Sequence, residues 1–150
     1  MGTQQILMII LSVIVVGAAV AVGIQMFDTQ ADNQTRNALV VESMQMAVQA
    51  QAWYRTPQMM GGGGYRASNI DINKIAKYIN NNAELNVIDL DGLGVFTLAK
   101  GAVTAGSDST NLTISAVDSA AGGKIRVETS VNLAGKGKDA VQVNPNPDTP

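Results

Sequence analysis

Residues 6–27 read ILMIILSVIVVGAAVAVGIQMF, and this stretch decides the fold. No residue from 1 to 27 carries a charged side chain. A helix rises about 1.5 Å per residue, so the run spans roughly 33 Å, against a bilayer hydrocarbon core of about 30 Å. It is long enough to cross a membrane, or to require burial against copies of itself. Small residues recur within it: Ser12, Gly17, Ala18, Ala19, Ala21 and Gly23. They permit close approach of helix backbones, although such residues are common in any membrane helix. Gly17 and Gly23 each weaken the helix by about 1 kcal/mol relative to Ala.

The flanks bear on processing and orientation. The leading MGTQQ has no Lys or Arg, and the run exceeds the apolar core of a secretory signal, so cleavage after it is not expected. The leading flank is short and uncharged, and Asp28 and Asp32 follow the run. This favours an N-terminus inside and a head outside.

Residues 29–56 contain no Gly or Pro and are rich in Ala, Gln and Met. They continue the helix, giving one element from about Gln4 to about Thr56. Val41, Met44, Val48 and Ala52 fall at i, i+3, i+7 and i+11, with Val40 and Ala47 in a neighbouring row. The spacing predicts one apolar stripe that packs on a head. Pro57 and Gly61 to Gly64 end the helix. The four glycines read as a hinge or a tight backbone approach. A phosphate loop would need a preceding strand and a following Lys-Ser/Thr, and both are missing.

Beyond them, Ser68 or Asn69 is the expected N-cap of a short helix with Ile72, Ile75, Ala76 and Ile79 on one face, ended by Asn80 to Asn82. The apolar period then changes to two. Leu85, Val87, Ile88 and Leu90 predict a first strand, Val95 to Ala99 a second, and Leu112, Ile114 and Ala116 a third. Ile125, Val127, Thr129, Val131 and Leu133 predict a fourth, after a loop from Asp118 to Gly123, and Val141 and Val143 are a candidate fifth edge strand. The fold class is therefore α+β. A hydrophobic stalk helix covers 1–27 and its amphipathic continuation 28–56. A Gly-rich linker covers 57–67, and a head with a short helix and about four antiparallel strands covers 68–150.

Composition narrows the chemistry. There is no Cys and no His, which removes disulfides, thiol catalysis and any Ser-His or Cys-His pair. The formal charge of −2 gives no basic field for nucleic acid. Asp89 and Asp91 share a strand face, but they fall far short of a calcium loop. No cofactor, metal or catalytic residue is expected, and the chain is not expected to be an enzyme. Asn33 and Asn111 match the N-glycosylation sequon, a pattern frequent by chance. Met44, Met46, Met59 and Met60, like Trp53, Tyr54, Tyr65 and Tyr78, are expected to serve packing.

An uncharged helix of about twenty residues, continuing as an amphipathic helix into a small antiparallel sheet, resembles the type IV pilin and pseudopilin superfamily. The MGTQQ start, the Ile/Leu/Val/Gly-rich run and the GGGG after the helix are similar to a group of short bacterial pilin-like proteins. The resemblance implies a subunit held in the inner-membrane lipid bilayer and moved by pilus assembly machinery into an extracellular helical homopolymer, with stalk helices bundled in its core. It departs from the family pattern where a basic leader, a helix-breaking Pro in the stalk and a C-terminal Cys pair would stand. Gln5 also occupies the place of a Glu that neutralises a neighbour's amino terminus. The residues expected in the bundled core are Gln5, Ile6, Leu7, Ile9, Ile10, Val13, Ile14, Val16, Gly17, Val20, Gly23, Ile24 and Phe27. The expected function is a structural filament subunit. The alternatives are a single-pass anchored extracytoplasmic binding module and a minor pseudopilin of a secretion system.

Overall fold

The computed structural model describes residues 2–81, 85–90, 92–100, 110–118, 123, 125–134 and 140–145. The chain is α+β. Helix α1 runs Gly2–Arg55, with no Gly or Pro between Gly23 and its end. Two 3-10 turns follow at Gln58–Met60 and Ala67–Asn69, then helix α2 at Ile72–Ile79. Five strands complete the order: β1 Val87–Leu90, β2 Gly94–Lys100, β3 Asn111–Asp118, β4 Arg126–Asn132 and β5 Val141–Asn144. They form one antiparallel sheet in the order β1-β2-β3-β4-β5, so every neighbour in sequence is a neighbour in space.

The chain divides into two compact units, Met1–Gln34 and Thr35–Pro150. The described part of the first is helix alone.

The core of the second unit lies on one face of the sheet. Period-two alternation sends Gly94, Phe96 and Leu98 of β2, Leu112, Ile114 and Ala116 of β3, and Val127, Thr129 and Val131 of β4 to the buried side. Register aligns them into rows. Ile88, Phe96, Ala116 and Val127 form one, and Leu98, Ile114 and Thr129 form the next. Thr97, Ser115 and Glu128 alternate to the more exposed face, as expected of an antiparallel sheet covered on one side.

The C-terminal part of α1 covers that face through the neighbouring row of Val40 and Ala47, and not through the main stripe that the spacing predicts. Val41, Met44 and Val48 are exposed, as is Ala52. The buried residues are Leu39, Ser43, Met46, Ala47, Ala50, Trp53 and Tyr54. At about 100° per residue these centre on the opposite side of the helix from the predicted stripe. The physical reason is shape. Ser43, Ala47 and Ala50 let the backbone come close to the sheet, while Leu39, Met46 and Trp53 supply bulk around them. Polar Ser43 is tolerated because its Oγ donates to the Val40 carbonyl at 2.8 Å and accepts from Thr129 Oγ1 at 2.9 Å.

The glycine run is a packed cap rather than a hinge. The last carbonyls of a helix lack intrahelical partners. Here Gly63 N donates to Trp53 O at 3.0 Å, Tyr65 N to Tyr54 O at 3.0 Å and Gly64 N to Thr56 O at 2.9 Å. Trp53 Nε1 donates to Gly61 O at 3.1 Å. A Cβ on Gly62 would lie 2.3 Å from Thr56 O, so only glycine fits there. Gly62→Ala is expected to destabilise this unit by about 1–3 kcal/mol. Denaturant unfolding of the full chain checks this, read by the fluorescence of Trp53, the only tryptophan and 2% exposed.

Three further expectations need correction. The N-cap of α2 is Asp71, whose side chain accepts from Asn73 N at 3.0 Å. Asn69 is unavailable because its Nδ2 donates to Gly63 O, and Ser68 lies with it inside a 3-10 turn. Leu85 has a positive φ of 55° and is exposed, so β1 begins at Val87. Met44, Met59, Met60 and Tyr78 are exposed, whereas Tyr65, though largely exposed, packs its ring edge-on against Tyr54 with centroids 5.9 Å apart. The backbone of the glycine run fills the end of α1 and leaves the two methionines of the 3-10 turn in solvent. The predicted fifth strand is formed. Of the residues expected to end α2, Asn82 lies outside the described residues.

Candidate assembly surface

Helicity places every residue of 6–27 on α1, where 3.6 residues per turn distribute the apolar side chains around the whole circumference. Gln5, Ile6, Leu7, Ile9, Ile10, Val13, Ile14, Val16, Val20, Ile24 and Phe27 are all exposed, and Gly17 with them. Gly23 is half-exposed, and neither glycine has an atom of another element within 4 Å of the position a Cβ would take. The helix is long and apolar enough to cross a membrane, and its most apolar window has no buried residue.

Two of its hydroxyls are satisfied within the helix. Ser12 Oγ donates to Met8 O at 2.7 Å, one turn back. Thr29 Oγ1 donates likewise to Gln25 O at 2.9 Å. Within the helix, backbone groups pair with backbone groups. Hydroxyls bonded back to the helix in this way are suited to lipid or to a dry helical bundle.

The two sequon asparagines are both exposed, Asn33 on α1 and Asn111 at the first position of β3. Asp89 is exposed on β1, and its expected companion Asp91 lies outside the described residues. Among the described residues no three His, Cys, Asp or Glu side chains cluster as metal ligands. A concavity of about 1060 Å3 lies beside the end of α1 and the start of α2, with Asn69, Asn73, Lys74, Asn86 and Lys100 on its walls. Asp71, the one carboxylate among its described lining residues, is engaged as the cap of α2 and forms a 3.9 Å ion pair with exposed Lys74. Such an exposed pair contributes little to stability.

Sequence reasoning found the apolar run through its length and lack of charge. It missed the outward direction of Val41, Met44 and Val48. No local signal could have found it, because an uncharged helix face ordinarily reads as a buried one. No protein-family model matches the chain, and neither a curated protein nor a solved structure matches it.

Proposed function

We propose that the chain is the structural subunit of an extracellular, type IV pilus-like helical filament. The apolar run holds the subunit in the inner membrane before assembly and is bundled with the runs of other copies afterwards. The observation that carries this reading is the contrast within α1. The stretch 6–27 is apolar on all sides and wholly unburied, while 39–54 contributes seven buried residues to a separate core. Fifteen large apolar side chains between Ile6 and Phe27 are more than half exposed. Full burial is worth roughly 1.5–3 kcal/mol for each such side chain, so tens of kcal/mol favour bundling once the run leaves lipid. A contact that repeats head-to-tail without closing builds an open helical fibre.

Electron microscopy of material sheared from cells expressing the chain tests the proposal. Fibres composed of this chain are the expected result. Monomers released only by detergent would instead support a single-pass anchored binding module. A fibre in which this chain is a minor component would support the pseudopilin alternative.

The amino-terminal flank takes a smaller part. Gln5 can donate and accept hydrogen bonds but cannot neutralise a charge. Gln5→Ala is expected to lower fibre yield by less than a charge placed within the run, as measured on sheared fractions of matched cultures. Equal losses would mean that Gln5 is as important to assembly as the apolar contact.

A further inference from the structure

The face of α1 opposite the core is unpartnered. Val41 is 55% exposed, Met44 47% and Val48 61%. With Gln45 and Gln49 they line an open groove of about 450 Å3. Between Arg36 and Arg55 no exposed position of α1 carries a charge, and the one acidic or basic residue there, Glu42, is half-buried. Nearly five turns of neutral, partly apolar helix facing water are unusual for a surface helix.

We propose that this strip docks the apolar run of a second copy, aligned parallel and shifted by 27 residues. The inference rests on the reading of the chain as a self-assembling subunit, and it names a contact that bundling of the runs alone does not require. Charge supplies the register. The neutral strip is bounded by Arg55, and the neutral run is bounded by Asp28. Setting Asp28 of one copy beside Arg55 of another places residues 10–25, all uncharged, against residues 37–52. Glu42, the one acid within 37–52, is half-buried and lies about 100° around the helix from Val41, off the docked strip. The spacing agrees on both sides. Val41, Val48 and Arg55 stand seven residues apart, and so do Ile14, Ala21 and Asp28. Residues at that interval share a helix face. Met44 meets Gly17 and Val48 meets Ala21, so larger side chains face small ones. Copies stored in one bilayer with one orientation remain parallel, which selects Arg55 over Arg36 as the partner of the carboxylate. The shift amounts to about 40 Å along the helix axis.

The native chain has no Cys, so engineered thiols report on this contact alone. Full-length Val48→Cys and Ala21→Cys chains, co-assembled into fibres and oxidised, are expected to give a mixed disulfide dimer. Neither variant gives it alone, and Val48→Cys with Val16→Cys, the pair expected of antiparallel docking, does not give it either. Met44→Asp is expected to reduce fibre yield by about tenfold or more, with Trp53 fluorescence unchanged because Met44 is outside the core. Arg55→Asp is expected to reduce yield about threefold, and adding Asp28→Arg is expected to restore it. Wild-type fibres without the Val48–Ala21 cross-link, or Met44→Asp fibres at wild-type yield, would overturn the docking and leave self-assembly standing. Absence of wild-type fibres would overturn the self-assembly reading and the docking with it.

Discussion

Val16→Asp is expected to abolish fibres while leaving the core around Trp53 folded. Val16 lies within the uncharged run and is 61% exposed on the helix. In a bilayer, an aspartate near the centre of a spanning helix costs about 2.5–3.5 kcal/mol by insertion scales. In a dry bundle the charge repeats in every subunit, with no counter-ion within the run, so the penalty multiplies along the polymer. The side chain belongs to the unit Met1–Gln34, whereas the buried residues that hold the sheet begin at Leu39. The measurement pairs electron microscopy of sheared fibres with Trp53 emission from the extracted chain. Intact fibres from the variant would contradict bundling of the run. Red-shifted emission would show that the two units are not independent in stability. Val15→Asp, one residue away on the same exposed run, is expected to behave in the same way.

Phe96→Ala is expected to remove about 3–5 kcal/mol from the stability of the second unit. Phe96 is fully buried at the middle of β2, in the row with Ile88, Ala116 and Val127. Its partner on β3 is small Ala116, which cannot reach into the cavity, and its partner on β1, Ile88, is itself fixed in the core. Domains of this size have about 5–15 kcal/mol in total, so the loss consumes a large share. Denaturant titration of the full chain in detergent, followed by Trp53 fluorescence, measures it. Phe96→Leu should cost under about 1.5 kcal/mol by conserving most of the volume. If both substitutions cost the same, Phe96 does not fill the core as its burial implies.

How much was legible varied with the kind of signal. The apolar run and the strands were readable because each is set by local pattern. Twenty-two residues without charge can hide only in lipid or among themselves, and an alternation of two suits only a sheet with one covered face. The buried face of α1 was not readable in that way. Two apolar rows lie on opposite sides of residues 39–54, and Val41, Met44 and Val48 form the more regular one. The sheet selected the other, which combines Ser43, Ala47 and Ala50 with Leu39, Met46 and Trp53. That choice depends on surfaces brought together from β2, β3 and β4, and no local periodicity encodes it. The α2 cap was misplaced because Ser68 and Asn69 are good cap residues, but both lie in the preceding 3-10 turn and Asp71, directly before Ile72, takes the role.

The chain's own order of residues determined that a long neutral helix precedes a one-sided antiparallel sheet, because helix and strand periods and the lack of charge are local properties. Tertiary structure alone decided which side of that helix meets the sheet and that the glycine run seals the helix end instead of bending. Both are questions of close packing between segments far apart in sequence. The strip left facing outward, Val41 to Val48, follows from that second decision.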